Sequence, residues 1–184
     1  MEYCIESVGM IKGVTVWFTG LPCSGKTTLA DRLGEVLREK GEKVERLDGD
    51  TVRKGLTSDL GFSKEDRAEN IKRVTFVAKL LTRNDVKVLA TFVSPYIDRR
   101  QKTREEIGEF MMVYVRTPVG ECIKRDVKGM YAKALAGEIK GFTGIDDPYE
   151  EPVNPELVVD TNKETVEESV QKVLAEMEKR GYLL

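Results

Sequence analysis

The sequence predicts an α/β fold of three layers, in which a mostly parallel sheet of five strands is covered by helices on both faces and carries a lid. Short apolar runs rich in β-branched residues alternate with amphipathic runs of helical period along the chain. The 184 residues suffice for one domain and are too few for two of ordinary size. We therefore expect a leader over residues 1–12 and a single domain over residues 13–184.

The strands are predicted from apolar runs that end at glycine, proline or a polar turn. They cover residues 13–20, 43–48, 86–94, 110–117 and 156–161. In parallel sheets, ligands bind beyond the carboxyl ends of the strands. The loop after Gly20, the DGD turn after the second strand and the SPY segment after the third are therefore the candidate functional segments.

The helices are predicted from apolar residues at helical spacing and from residues that begin or end a helix. They cover residues 26–40, 63–81, 98–107, 121–127 and 164–180. Gly41 is expected to end the first helix, and Ser63 is expected to cap the second. Residues 128–155 do not follow the pattern, since four glycines and three prolines interrupt this long connection. Such connections are often lids or binding loops.

The composition excludes several kinds of function. The 30 basic and 32 acidic residues leave a net charge of -2, so there is no general attraction to nucleic acid and any anion site has to be local. The chain has no histidine, which excludes a histidine base, a histidine-activated nucleophile and a histidine metal ligand. Cys4, Cys23 and Cys122 are odd in number and lack C-x-x-C spacing, which argues against a zinc site and a disulfide framework.

No membrane partner is expected, because no stretch approaches the roughly 20 apolar residues of a membrane span. The first residues carry acids and no long apolar run, which is not typical of a signal peptide. We therefore expect a cytoplasmic protein.

The segment GLPCSGKTT (20–28) matches the phosphate-binding pattern G-x-x-x-x-G-K-[ST]. A predicted strand precedes it and a predicted helix follows it, which favours a nucleotide site of the P-loop NTPase type over a chance glycine-rich turn. Lys26 is expected to reach the β- and γ-phosphates, and the Thr27 hydroxyl to bind Mg²⁺. For Cys23, we favour the role of a small residue that fits the loop over that of a reactive thiol. The predicted ATP-binding residues are Gly20, Leu21, Pro22, Cys23, Ser24, Gly25, Lys26, Thr27 and Thr28.

Asp48 and Asp50 follow the second predicted strand, near the phosphate loop. A carboxylate there could bind Mg²⁺ or accept a proton from an attacking hydroxyl. Taken alone, the D-G-D pattern favours a polar turn, in which an aspartate contacts its own backbone.

The chain resembles the adenylylsulfate kinases in five blocks that stand in order and cover most of its length. They are GLPCSGKTT (20–28), LDGDTVR (47–53), GFSKEDRAENIKR (61–73), FVSPY (92–96) and a long block over residues 113–156. The resemblance implies transfer of the γ-phosphoryl of ATP to the 3'-hydroxyl of adenosine 5'-phosphosulfate, with Mg²⁺, to give 3'-phosphoadenosine 5'-phosphosulfate (PAPS) and ADP. It also favours a homodimer.

Residue by residue, the resemblance implies that Lys26, Asp48, Asp50 and Ser94 are catalytic candidates, and that Thr27 and Asp48 bind the metal. The implied adenylylsulfate-binding residues are Asp50, Arg53, Phe62, Arg67, Asn70, Val93, Ser94, Lys128, Lys133 and Phe142. The arginines suit the anionic groups and the aromatic rings suit the purine. Taken alone, Arg67 is typical of a solvated helix charge, and the two phenylalanines are typical of core residues.

Two points stay open within the resemblance. Ser94 matches a possible phosphoryl-accepting serine, but direct transfer needs no covalent intermediate, so a hydrogen-bonding role at the strand end is favoured. Leu135 stands where the family usually has an arginine in the lid, which removes one guanidinium.

Two other functions remain as alternatives. One is a P-loop kinase with another acceptor, against which residues 61–73 and 128–151 argue. The other is a regulatory module that has lost catalysis. The intact Lys26, Thr27, Asp48 and Asp50 argue against it, and only Leu135 favours it. A GTPase switch is disfavoured because the chain has no N-K-x-D element.

Overall fold

The structure, a computed structural model, describes residues 12–184. Apart from Lys12, the predicted leader lies outside the described residues, and so does Cys4. One sheet of five parallel strands forms the centre, in the order β2-β3-β1-β4-β5. The strands are β1 (Val14–Thr19), β2 (Val44–Asp48), β3 (Lys87–Thr91), β4 (Phe110–Arg116) and β5 (Leu157–Asp160).

Helices cover both faces of the sheet, which confirms the predicted three-layer fold. They are α1 (Lys26–Glu39), α2 (Gly49–Lys54), α3 (Lys64–Thr82), α4 (Ile97–Ile107), α5 (Val119–Arg125), α6 (Met130–Leu135) and α7 (Val166–Lys179). None of the helices within residues 12–184 has the length and apolar character needed to cross a bilayer.

Two apolar cores result from the alternation of side chains along β1. Val14, Val16 and Phe18 point to one face, where they pack with residues of α1 and α7. Trp17 points to the other face and packs with residues of α3 and α4. All six residues of β1 are buried, as expected for the central strand of a parallel sheet.

The residues predicted to begin α3 and to end α1 are confirmed, whereas α5 begins and ends two residues earlier than predicted. The Ser63 side chain accepts a hydrogen bond from the Asp66 N–H at 3.0 Å and caps α3. Gly41 follows the cap of α1 with φ 83°, and its N–H donates to the Arg38 carbonyl at 2.9 Å. A left-handed residue at this place is the usual end of a helix, and glycine adopts it without strain.

Three segments differ from the sequence prediction. The third strand ends at Thr91 instead of residue 94, because Ser94 has φ 44° and Pro95 follows it. The DGD turn opens α2, whose first turn is capped by the Asp48 carboxylate. The long connection contains α6, where the Asp126 carboxylate accepts from the N–H groups of Tyr131 and Ala132, both at 3.0 Å.

Glu156, at the end of the long connection, forms hydrogen bonds with α4 and β4. Its carboxylate accepts two hydrogen bonds from the Arg104 guanidinium of α4, and it accepts from the Met112 N–H of β4 at 2.7 Å. Burial opposes ionisation of Glu156, but these hydrogen bonds outweigh burial and hold its pKa below the ordinary value. The charged form therefore stabilises the folded state.

We expect Glu156→Gln to lower the free energy of unfolding near neutral pH by about 1.5–3 kcal/mol, because hydrogen bonds to a charged group are lost. The folded-state pKa lies below the unfolded value, so this stabilisation is present above the ordinary pKa and is lost as the pH falls through the folded-state pKa. Urea unfolding should therefore show wild type and variant converging at acid pH.

The matched control is Glu121→Gln, which removes an exposed carboxylate that pairs with Lys124 three residues along α5. Exposed pairs contribute little, so its unfolding midpoint should stay at the wild-type value. If the urea midpoint of Glu156→Gln equals that of wild type near neutral pH, the hydrogen bonds of Glu156 do not stabilise the fold as proposed.

Candidate active site

The three candidate segments lie together at the carboxyl edge of the sheet. The phosphate loop leaves β1, the Asp48 turn leaves β2, and the segment 92–96 leaves β3. Because β3 lies between β1 and β2, their carboxyl ends are neighbours. Asp48 is paired in register with Thr91, the last residue of β3.

Glycine is required at both ends of the phosphate loop. Gly20 and Gly25 have φ 153° and φ 97°, and a Cβ added to Gly20 would lie 2.5 Å from the Val115 carbonyl oxygen. Cys23 lies between them with φ 60°, which is a strained conformation for a residue with a side chain. Its thiol is half-buried and free.

Every carbonyl oxygen from Gly20 to Ser24 accepts a hydrogen bond from a side chain. The donors are Lys26 Nζ to Gly20 (3.0 Å) and Leu21 (2.6 Å), Tyr131 Oη to Pro22 (3.1 Å), Arg125 Nη1 to Cys23 (3.5 Å), and Thr161 Oγ1 (2.8 Å) and Thr117 Oγ1 (3.2 Å) to Ser24. A peptide's carbonyl and N–H point to opposite sides, so binding the carbonyls also fixes the directions of the loop N–H groups. Within the loop, the Ser24 N–H donates to the Leu21 carbonyl at 3.2 Å. Successive N–H groups before the start of a helix are a common type of phosphate site.

Lys26 is the first residue of α1, and only 8% of its surface is exposed. Burial lowers the pKa of Lys26 to about 8, although Cys122, Cys23 and Asp48 favour its charged form. Burial removes the water that would stabilise the charged ammonium of Lys26. The negative charge of a phosphate bound by the loop would stabilise it instead.

Asp48 is held by three donors. Its Oδ2 accepts from Thr27 Oγ1 at 3.0 Å and from Thr91 Oγ1 at 2.7 Å, and its Oδ1 accepts from the Asp50 N–H at 3.0 Å. Burial opposes ionisation of Asp48, but the three hydrogen bonds hold its pKa below the ordinary value. The carboxylate is therefore charged at neutral pH.

The predicted metal residues, Thr27 and Asp48, are in direct contact, and their donor set fits Mg²⁺. One hydroxyl and one carboxylate are oxygen ligands, and Mg²⁺ usually takes one or two carboxylates and completes its shell with phosphates and water. Within residues 12–184 there is no cluster of three or more His, Cys, Asp or Glu side chains that could hold a metal by itself.

A second group of predicted residues lies on α2 and the start of α3. The Arg53 guanidinium stacks over the Phe62 ring, 4.3 Å from its centroid, and donates to the Gly61 carbonyl at 2.9 Å. The Phe62 side chain is 71% exposed, so it is not a core residue. Asp50 forms an exposed ion pair with Lys128, which precedes α6.

Arg67 joins α3 to the long connection. Its Nη2 donates to the Gly141 carbonyl at 2.6 Å, and its Nη1 lies 3.4 Å from the Asp147 carboxylate. Its partner is thus in the lid segment, and not a glutamate of its own helix. Asn70, one turn further along α3, is buried and accepts from Thr57 Oγ1 at 2.7 Å.

The long connection places Phe142 close to the phosphate loop. The Phe142 ring meets the ring of Tyr131 edge to face, with 4.9 Å between centroids. Lys133 and Leu135 lie on α6 with their side chains exposed, Leu135 to 60%. Nothing in the packing of α6 requires leucine at position 135.

Ser94 is buried, and its hydroxyl accepts a hydrogen bond from the Trp17 indole N–H at 3.0 Å. The carbonyl of the preceding Val93 accepts from Thr19 Oγ1 at 2.8 Å. Both contacts fix the chain where it leaves β3, next to the phosphate loop.

Two residues that sequence reasoning missed contribute to the site. Thr91 donates to Asp48, and it could have been found because it ends the neighbouring strand at the same level. Tyr131 donates to the phosphate loop from a point more than a hundred residues away, and no local pattern indicates this contact.

We expect the affinity for Mg-ADP to fall as the pH rises above about 8, because Lys26 of the free protein then loses its proton and has to regain it to meet the phosphates. Each further pH unit should weaken binding by up to about tenfold. Calorimetric titrations from about pH 7 to about pH 10 measure both the dissociation constant and the proton uptake.

The control is Lys26→Arg, because a guanidinium keeps its charge over this range. The Lys26→Arg variant should bind Mg-ADP more weakly than wild type, and its dissociation constant should not change with pH over this range. A wild-type dissociation constant that stays level above about pH 8 would show that Lys26 is not the titrating group.

Comparison with known proteins identifies the family of the chain. The family model described as adenylylsulphate kinase matches residues 12–160. An adenylyl-sulfate kinase of Halothermothrix orenii is 62% identical over 172 residues, which cover 94% of this chain and 93% of the relative.

Solved structures agree with the fold and with the family. The Mycobacterium tuberculosis APS kinase CysC in complex with AMPPNP and APS has a TM-score of 0.86 and 45% identity, covering 91% of this chain and 98% of that chain. A hexameric APS kinase from Thiobacillus denitrificans has a TM-score of 0.73 and 35% identity, covering 94% of this chain and 30% of that chain. The resemblance seen in the motifs is thereby confirmed, and the chain belongs to the adenylylsulfate kinase family.

Proposed function

We propose that the chain is an ATP-dependent adenylylsulfate kinase, which transfers the γ-phosphoryl of ATP to the 3'-hydroxyl of adenosine 5'-phosphosulfate and releases PAPS and ADP. One observation carries the proposal. The phosphate loop and Asp48 lie at the carboxyl edge of the sheet, near Arg53 of α2, Arg67 of α3 and the exposed ring of Phe62 between these helices. A donor site for a triphosphate thus lies beside a site suited to a purine that carries anions.

The donor half consists of residues 20–28 and the first turn of α1. The N–H groups of the loop would cradle the phosphates, and Lys26 would exchange its loop carbonyls for phosphate oxygens. Thr27 and Asp48 would hold Mg²⁺, which when bound neutralises charge on the phosphates. The lowered pKa of Asp48 suits a metal ligand and an orienting acceptor better than a group that stores a proton.

The acceptor half consists of the residues around Arg53 and Arg67. Guanidinium groups bind phosphate and sulfate oxygens through paired N–H donors. The exposed Phe62 ring and Phe142 would stack on the adenine. The remaining proposed contacts to adenylylsulfate are Asp50, Asn70, Val93, Ser94, Lys128 and Lys133.

Residues 128–155 are proposed as a lid that belongs to the single domain. They contact both halves of the site, through Tyr131 at the phosphate loop and through Gly141 and Asp147 at Arg67. Closure over the nucleotides would exclude water, which protects the phosphoryl group from hydrolysis.

The remaining parts of the proposal rest on the sequence and the family. We propose a role in sulfate assimilation and a homodimer. A cytoplasmic location is consistent with the free thiols of Cys23 and Cys122. Neither a nucleic acid nor a membrane is proposed as a partner.

The function is tested by an assay for PAPS with Mg-ATP and adenylylsulfate. Wild type should form PAPS, and Asp48→Asn should reduce kcat about 100-fold or more, since it removes the charge at the reacting groups. The control Asp59→Asn removes an exposed carboxylate that pairs with Arg73, and it should keep wild-type turnover.

Adenosine monophosphate as acceptor separates the alternatives, because it presents the same ribose without sulfate. Phosphorylation of adenosine monophosphate in preference to adenylylsulfate would favour a kinase with another acceptor. ATP binding without turnover on either acceptor would favour a regulatory module that has lost catalysis.

Ser94→Ala should keep turnover within about threefold of wild type, because positioning and charge stabilisation suffice for direct transfer. The Trp17 indole would lose its acceptor, so we expect a loss of stability of about 1–2 kcal/mol. Steady-state kinetics and thermal melting measure the two effects separately. Abolished turnover in a folded Ser94→Ala variant would indicate a phosphoserine intermediate instead.

A further inference from the structure

Tyr131 is a fully buried residue that touches both halves of the proposed site. Its side chain is 0% exposed. Its hydroxyl donates to the Pro22 carbonyl of the phosphate loop at 3.1 Å, and its ring meets the Phe142 ring edge to face. A buried hydroxyl needs a hydrogen-bond partner, and here that partner is a carbonyl of the phosphate loop.

The hydrogen bond acts on the most strained part of the loop. The peptide between Pro22 and Cys23 is trans, so its carbonyl and the Cys23 N–H point in opposite directions. Cys23 has φ 60°, a left-handed conformation that is unfavourable for a residue with a Cβ. A donor that fixes the Pro22 carbonyl therefore also fixes the Cys23 N–H, which points the opposite way.

Tyr131 is itself held firmly. The Asp126 carboxylate accepts from the N–H of Tyr131 and from that of Ala132, which fixes the start of α6. A second contact between the same segments lies nearby, because a Cβ added to Gly144 would be 2.9 Å from Leu21. The long connection thus packs closely on the phosphate loop at two points.

We propose that Tyr131 is a positioning residue for the nucleotide phosphates: from the lid segment, its hydroxyl sets the orientation of the Pro22–Cys23 peptide and so couples the lid to the donor site. The proposal deepens the proposed function and rests on it for the identity of the acceptor. The effect on phosphate binding does not depend on the acceptor.

Tyr131→Phe in the full chain tests the proposal, because it removes the hydroxyl and keeps the ring that packs on Phe142. The loss of one hydrogen bond should weaken Mg-ADP binding by about three- to tenfold and raise the KM for ATP similarly. The KM for adenylylsulfate should stay within about twofold of wild type, since the ring remains in place. Calorimetry measures binding, and the PAPS assay measures both KM values.

The matched control is Tyr182→Phe, which removes another buried tyrosine hydroxyl, one that donates to Glu109 at 3.0 Å. Glu109 immediately precedes β4, at the amino edge of the sheet, opposite the phosphate loop. Tyr182→Phe should affect stability and leave Mg-ADP binding within about twofold of wild type.

Three results would overturn the proposal. They are unchanged Mg-ADP binding in Tyr131→Phe, an equal loss in Tyr182→Phe, and a parallel rise in the KM for adenylylsulfate. Failure of the proposed function is distinguishable, because it appears as absent PAPS formation by wild type while the Mg-ADP titrations still decide the role of Tyr131.

Discussion

The shape of the phosphate loop depends on the side chains that bind its carbonyl oxygens. Lys26 binds two of them from the start of α1, and in the proposed function it would exchange them for phosphate oxygens. The other three are bound by side chains from distant segments. Arg125 ends α5, Tyr131 belongs to α6, and Thr161 follows β5. The loop therefore keeps its shape because residues from the second half of the chain bind three of its five carbonyl groups.

The features that could be predicted from the sequence are those that depend on neighbouring residues. The strands, α1 and α3 follow from local periodicity and caps, and the loop follows from its spacing. The helices α2 and α6 are not predicted, because six residues make fewer than two turns and carry no clear helical period. The contacts of Tyr131 and Arg67 join residues more than seventy positions apart, and no local pattern contains them.

The two charged groups at the centre of the site are shifted in ways that suit their proposed roles. Burial lowers the pKa of Lys26, so the free protein holds an ammonium that a phosphate can stabilise. Burial also opposes the charge of Asp48, but three donors keep it ionised. Lys26 is the more deeply buried of the two, and its loop carbonyls carry no full negative charge. The phosphates of a triphosphate would supply that charge to Lys26, and Mg²⁺ would add a positive charge beside Asp48.

Arg67 shows how the acceptor half and the lid depend on each other. Its guanidinium donates to the Phe62 carbonyl, to the Gly141 carbonyl and towards Asp147. A guanidinium has five N–H donors, so it can meet an anion only by adding to or exchanging these contacts. Asp147 also accepts from the Tyr96 hydroxyl, which keeps the carboxylate partnered when an anion replaces it at Arg67. An adenylylsulfate anion at Arg67 would thus change the lid's own contacts, which links acceptor binding to the segment that Tyr131 ties to the phosphate loop.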